Sequence, residues 1–551
     1  MHRQPRTQRD IAHKSRKALA RRHPRPPPAS VLSLPFEILA YIFFFVRDTA
    51  ASQLHWVRLA WVCRYWREIA LESHLLWTRL SFSNLRDPGF ASVLLHRAHG
   101  LDLELAFDTT ASDIQRVMAL FLDHLHQLRS LSITFLLDQS GAVQDLLNMP
   151  MPRLVTLAVG ASYPDEAEGA SESVVAQLLL DPLAVPSLRN LRITSLRLDA
   201  PQRMLSKLVS LELNRFQGDK FASVTDWIIE ILENCGPTLQ HLTVRYVEHW
   251  GTIWAGMPNP PQSPLPFPRL QRLTFRGTTL CYTAELFLAR LRLPDTTCFD
   301  ASLLWNVAHG GRRSWTSDVF SDILFPPFRS EREVALPILL KTRRLCVQAG
   351  KSFYLTGRPE NADHTLWCAT ADLKDIPRQA SNDMFPDMVS KLSELVASDA
   401  VIEYECHFAP YIPTYEPWPK IIGSFPNLRK FTFGGTRSVE ELLNEFVGCR
   451  AGIRGLQELT LCVPEIAEST EKVLLECKKL KLQRGTAVIP QVVTFRLPKR
   501  LAKCRSTHTK IVQLKVKLER LIQLEVCYLD CEFCQQLPKT VPRRRSLRAS
   551  R

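Results

Sequence analysis

The sequence predicts an α/β protein: a small N-terminal helical module followed by a long, irregular array of short strands and helices. Three observations predict it. A helical pattern apolar on two faces runs from Val31 to Leu80. Beyond residue 81 a unit of form L-x-x-L-x-apolar recurs eight times. Strong positive charge is confined to the two ends, which leaves a mixed, core-forming composition between them.

The basic ends come first. Residues 1–30 carry nine arginines and lysines against one acid, Asp10, and finish on Pro24, Pro26, Pro27 and Pro28. Charge, proline and low hydrophobicity oppose a packed core, so this stretch reads as a disordered arm. Residues 536–551, with Arg543, Arg544, Arg545, Arg548 and Arg551, read as a disordered tail. Together the ends account for much of the net charge of +15. With 551 residues, 45% of them hydrophobic and 23% charged, the chain has enough apolar mass for two or more domains. Fourteen scattered cysteines, a start without a secretory apolar core and no apolar run long enough to span a bilayer predict an intracellular chain with reduced thiols and no membrane partner.

In the module, Leu34, Ile38, Leu39, Ile42 and Phe43 form one helical stripe. Phe36, Tyr41, Phe44 and Phe45 cover much of the remaining surface. A helix apolar on two sides needs burial on two sides. About fifty residues are too few to supply both, so the pattern predicts a partner surface. Pro35 suits the first helical position, and Glu37 complements the helix dipole. A second pattern follows at Leu59, Val62, Cys63, Trp66, Ile69 and Ala70, and then Leu76 and Trp77.

These residues carry a resemblance. Leu34-Pro35-x-Glu37-Ile38-Leu39-x-x-Ile42-Phe43, then Val62-Cys63-Arg64-x-Trp66-Arg67-x-Ile69-Ala70, then Leu76-Trp77, resembles an F-box over residues 31–80. With the basic arm, the LLHRAHGLDLELAF stretch and the leucine repeats, the chain resembles the large F-box families of mushroom-forming fungi. The resemblance implies a three-helix module that binds the Skp-type adaptor of an SCF-type (cullin–RING) ubiquitin ligase, and through it a cullin. Carried over, the adaptor-facing candidates are Leu34, Pro35, Ile38, Leu39, Ile42, Phe43, Val62, Cys63 and Trp66. Some of these must instead hold the module's own core, and the sequence does not separate the two roles.

From residue 81 to 535 the texture is that of repeats. Ala91 to Ala98 predicts a short helix, and Leu101, Leu103 and Leu105, alternating with acids, a strand with one buried face. The recurring unit appears at Leu128-Leu131-Ile133, Leu154-Leu157-Val159, Leu188-Leu191-Ile193 and Leu208-Leu211-Leu213. It continues at Leu239-Leu242-Val244, Leu270-Leu273-Phe275, Leu428-Phe431-Phe433 and Leu456-Leu459-Leu461. Pro152, Pro186, Pro237, Pro268 and Pro426 each stand two positions ahead of a copy. This is the signature of a degenerate leucine-rich-repeat solenoid, with connecting segments such as Asp226 to Asn234 as outer helices. Repeats stack because none buries its own face.

Between 280 and 425 the unit fades. That stretch is either a worn middle of the same solenoid or an insertion; resumption of the same unit afterwards favours the first. Leu291 to Pro294 and Arg344 to Val347 are candidate worn strands. Further on, Ser469 to Leu480 predicts a helix, Val492 to Phe495 a strand, and Ile511 to Leu529 a cap. Cys527, Cys531 and Cys534 lack a second ligand pair, so no metal is expected, and their spacing favours one helical face. Gly310-Gly311 and Gly434-Gly435 read as turns.

No nucleotide-binding, zinc-protease or serine-hydrolase motif is present. The expectation is a non-enzyme without cofactor, recruiting an unknown protein substrate in the nucleus or cytoplasm. Two alternatives remain: a protein-interaction scaffold outside ubiquitination, and a nuclear nucleic-acid binder acting through the basic ends. The second lacks a stacking platform or a reading helix, so nucleic acid is the partner least supported.

Overall fold

A computed structural model describes residues 34–49, 55–83, 88–108, 114–162, 175–216, 225–247, 265–279, 291–304, 337–349, 352–360, 365–372, 392, 396–408, 423–434, 455–462, 471–472, 474–475, 491–497, 505–518 and 523–528. The basic ends, Cys531, Cys534 and Gly310-Gly311 lie outside them, as does most of the helix expected from Ser469. The chain forms two units, Met1–Val155 with Ala184–Ser187, and Thr156–Leu183 with Leu188–Arg551.

The first unit opens on the helix Phe36–Thr49. Its first main-chain bond runs from Leu39 N–H to Pro35 C=O, 3.1 Å. A 3₁₀ turn, His55–Trp61, and a second helix, Arg64–Glu72, follow. The periodicity through Leu59 and Ala70 suggests one continuous helix, but the chain breaks at Val62-Cys63. Cys63 is extended there, and its Sγ accepts the Trp66 N–H at 3.4 Å, capping the new helix. Trp56 and Trp77, both fully buried, meet edge to face with centroids 4.8 Å apart. Trp77 Nε1 donates to Ala70 C=O at 2.8 Å, so the largest side chains fix the second helix and the following turn together. Three strands continue the unit: β1 (Arg79–Ser83), β2 (Leu103–Asp108) and β3 (Leu128–Leu136). They pair in parallel, β1 with β2 and β2 with β3, and the helix Pro88–Arg97 connects the first two. Arg79 ties module to sheet, donating to Glu104 at 2.7 Å and to Asp48 at 3.3 Å.

The second unit contains β4 (Thr156–Ser162), β5 (Gln177–Leu179), β6 (Asn190–Thr194), β7 (Arg197–Asp199), β8 (Ser210–Phe216), β9 (His241–Val247) and β10 (Leu265–Pro266). Next come β11 (Arg272–Thr279), β12 (Leu291–Arg292), β13 (Cys298–Leu304), β14 (Arg344–Ala349), β15 (Ser352–Arg358) and β16 (Trp367–Asp372). Last are β17 (Glu403–Phe408), β18 (Lys430–Gly434), β19 (Glu458–Cys462), β20 (Val492–Leu497) and β21 (Gln523–Tyr528). Pairwise ladders give the sheet order β4-β6-β8-β9-β11-β13-β16-β15-β14-β17-β18-β19-β20-β21. Among the described residues only β15 runs antiparallel to its neighbours. Two short parallel ladders, β5 with β7 and β10 with β12, stand apart from this sheet.

Each of the eight L-x-x-L-x-apolar copies places its second and third apolar residues on a strand of one of the two units, and every apolar residue of every copy is buried. The reason is the period of two along a strand. The helix Thr225–Cys235 lies where Asp226 to Asn234 predicts one, and Trp227 Nε1 anchors it to Leu198 C=O at 3.0 Å.

Among the described residues the middle contributes β12 to β17. β14 includes Arg344 to Val347, and Leu291-Arg292 is the short strand β12. Gly357 on β15 sits where a Cβ would strike the indole of Trp367, the residue paired with it on β16. Trp367 occupies that space and donates to buried Thr342 Oγ1 at 2.8 Å.

Two expectations are corrected. Cys527 is on β21, opposite Arg496 of β20, not on a helix; the helix of that region is Arg505–Leu518. Gly434 ends β18 rather than forming a turn, because a Cβ there would meet His407 Nδ1.

Candidate functional site

The helix Phe36–Thr49 divides its apolar residues between two faces. Leu39, Ala40 and Phe43 are buried, and Phe43 meets Trp66 with ring centroids 5.2 Å apart. Pro35, Ile38, Tyr41, Ile42 and Phe45 are exposed. Their spacing, with steps of three, three, one and three, is one face of a 3.6-residue helix. Tyr41 is 72% exposed and Phe45 65%, although both are aromatic.

The remaining candidates divide in the same way. Leu34 is half-buried and its C=O accepts from Tyr65 Oη at 3.3 Å. Val62 is exposed at the end of the 3₁₀ turn. Cys63 is half-buried and occupied as a helix cap, and Trp66 is half-buried against Phe43. Thus Leu39, Phe43, Cys63 and Trp66 hold the module together, while Pro35, Ile38, Ile42 and Val62 present apolar surface outward.

Trp61, Leu71 and Leu75 are also exposed, and Trp61 is 70% accessible. None of the three stands among the candidates that the F-box resemblance selects. Trp61 is off the Leu59 periodicity, and a residue off a helical stripe is the signal for surface. Among the described residues, eight of the sixteen large exposed apolar side chains lie between Ile38 and Leu75. That concentration makes the module the candidate interaction site, because isolated exposed hydrophobes are ordinary and clusters are not. Each such side chain gains roughly 1.5–3 kcal/mol on full burial.

Polar groups fix the frame. Arg47 Nη1 donates to Leu75 C=O at 2.7 Å, tying the end of the helix to the segment bearing Leu75. Arg67 Nε donates to Ala60 C=O at 3.1 Å. The hydrogen bond to Glu104 raises the pKa of Arg79 above its ordinary value.

No cluster of three or more histidine, cysteine or acidic side chains that could hold a metal occurs among the described residues. No helix among them is long and apolar enough to cross a membrane. Residues 31–83 match the F-box-like family model. A search of curated proteins finds no match. The module is therefore an F-box-like domain, a class whose role is protein interaction and which typically engages Skp-type adaptors.

Proposed function

We propose that this chain is the target-recruiting subunit of an SCF-type ubiquitin ligase. The carrying observation is the exposed apolar face of Pro35, Ile38, Tyr41, Ile42 and Phe45 within an F-box-like domain. A Skp-type adaptor covers that face, and a cullin joins through the adaptor. The chain supplies no catalytic group or cofactor. It accelerates transfer by holding a target near a ubiquitin-charged enzyme of the complex.

The target-holding part, in this reading, is the second unit as a degenerate leucine-rich-repeat solenoid of the kind found in mushroom F-box families. A translational repeat supports this. The residue just ahead of a strand donates its N–H to the equivalent residue one strand back: Gln240 to Val209, Gln271 to Gln240, Gln457 to Arg429 and Gln491 to Gln457, each at 2.8 Å. Repetition of one bond from strand to strand is what stacking of equivalent units produces. The antiparallel strand β15 is the departure from it.

The complex works inside the cell, in nucleus or cytoplasm. Proximity labelling with the full chain, with and without proteasome inhibition, tests the assignment. The adaptor and cullin should be labelled in both conditions, and targets should accumulate only when the proteasome is blocked. Labelling of the adaptor without any cullin would replace this reading with a scaffold outside ubiquitination.

A further inference from the structure

The sheet of the second unit has a buried leucine-bearing side and a polar side. On the polar side the C-terminal strands are balanced. Arg344, Arg358, Lys430 and Arg496 stand against Glu403, Glu405, Glu458 and Glu525; Arg344 is directly opposite Arg358 but is paired with Glu403 at 2.6 Å, and Lys430 with Glu458 at 2.9 Å.

Strands β6 to β13 are not balanced. Arg192, Arg245, Arg272 and Arg276 face the same way as only two acids among the described residues, Glu212 and Asp300. Arg245 of β9 stands directly opposite Arg276 of β11. Like charges on directly paired positions destabilise a sheet. Each acid lies on the outer side of this pair. Glu212 on β8 contacts Arg245 at 3.2 Å and is shared with Arg192 at 2.7 Å; Asp300 on β13 contacts Arg276 at 3.4 Å. Among the described residues the acids paired with these two guanidiniums are Glu212 and Asp300, one for each.

Two further observations converge here. Asn214, in register with Arg245, has a buried Oδ1 without a hydrogen-bond partner, and Arg245 Nε likewise lacks a well-aligned one. Unsatisfied buried polar atoms are uncommon and call for an explanation. Ser195 and Arg215, at the ends of β6 and β8, adopt φ of 53° and 57°. They are two of three non-glycine residues in the left-handed region among the described residues, and such strain concentrates at functional sites.

We propose that Arg245 and Arg276, with Asn214 beside them, form a binding site for an oxyanion carried on a protein ligand, either a phosphorylated or a carboxylate side chain. The arginines offer parallel N–H pairs to planar or tetrahedral oxygens. Asn214 can join only through its amide Nδ2, since its Oδ1 is an acceptor and an oxyanion brings no proton to it. This deepens the target-holding role proposed above and names the chemistry of the target.

The test uses the full chain and short fluorescent peptides that differ only at a central phosphoserine, glutamate or serine. The phosphoserine or glutamate peptide should bind, the serine peptide should not, and added salt should weaken binding. Binding by the phosphoserine peptide alone identifies a phosphorylated ligand; binding by both identifies an acidic one. Arg245→Ala and Arg276→Ala should each lose about tenfold or more, whereas Lys430→Ala, on the same side but paired with Glu458, should lose nothing. Thermal unfolding should show Arg276→Ala unchanged or more stable, since it relieves like-charge repulsion. Equal binding of all three peptides, unaltered binding by both arginine variants, or displacement by polyuridylate but not by free phosphoserine peptide would overturn the proposal. Adaptor co-purification with the same variants separates the two readings. Its failure with peptide binding intact removes the ligase role and leaves this site standing.

Discussion

Ile38 and Leu39 are neighbours in sequence, about 100° apart around the first helix, and they divide its faces: Leu39 is fully buried and Ile38 is half exposed. One peptide bond therefore separates a residue that builds the F-box-like domain from one that leaves it. The same division separates Phe43 from Ile42.

That division predicts opposite outcomes for substitutions a few positions apart. Phe43→Ala removes a fully buried ring from its place against Trp66 and should cost about 3–5 kcal/mol. Ile38→Ala should change stability by no more than about 0.5 kcal/mol, as exposed substitutions do. Denaturant midpoints of the two variants measure the difference.

Gly434 predicts a non-additive pair. Gly434→Ala puts a methyl group against His407 Nδ1 and should cost about 1–3 kcal/mol. His407→Ala opens that space while giving up the bond to Glu405. The double variant should therefore be more stable than the sum of the single effects, by an amount a double-mutant cycle resolves.

Glu405 predicts a pH dependence. Its pKa is lowered chiefly by the hydrogen bond from His407 Nε2, 2.6 Å away, against an opposing push from burial; the charge on His407, then Arg496 and Arg358, lower it further. A carboxylate depressed in the folded state stabilises the fold above its ordinary range. That contribution is lost as pH falls through the ordinary range toward the lowered value. Glu405→Gln should thus lower the melting temperature near neutrality, and the gap from the parent chain should close on acidification. Melting curves from about pH 7 to about pH 3 test the sign.

The strands marked by L-x-x-L-x-apolar are legible because each needs only local alternation and a leading leucine. Those of the middle are not. Leu345-Val347, Leu355-Gly357, Trp367-Ala369 and Tyr404-Cys406 are buried at alternate positions, but lack the preceding leucine and proline. The pairing of β13 with β16, and the reversal of β15, depend on interactions between residues far apart in the chain, which no local pattern encodes. At the site, composition announces an apolar excess and a partner. Its assignment to faces depends on where the chain breaks at Cys63 and on the burial of Trp56 and Trp77, and periodicity alone carries neither.

Docking of a Skp-type adaptor on the outward apolar face of the first helix is the step on which the proposed role depends. The direct measurement is the dissociation constant of the full chain for a purified adaptor, with and without Ile38→Glu and Ile42→Glu together. If each side chain supplies about 2 kcal/mol or more of the binding energy, the double variant weakens binding by about 10³-fold or more. Its melting temperature should stay within a few degrees of the parent's. Wild-type affinity in a folded double variant would contradict the account, as would an unmodified chain that does not bind the adaptor.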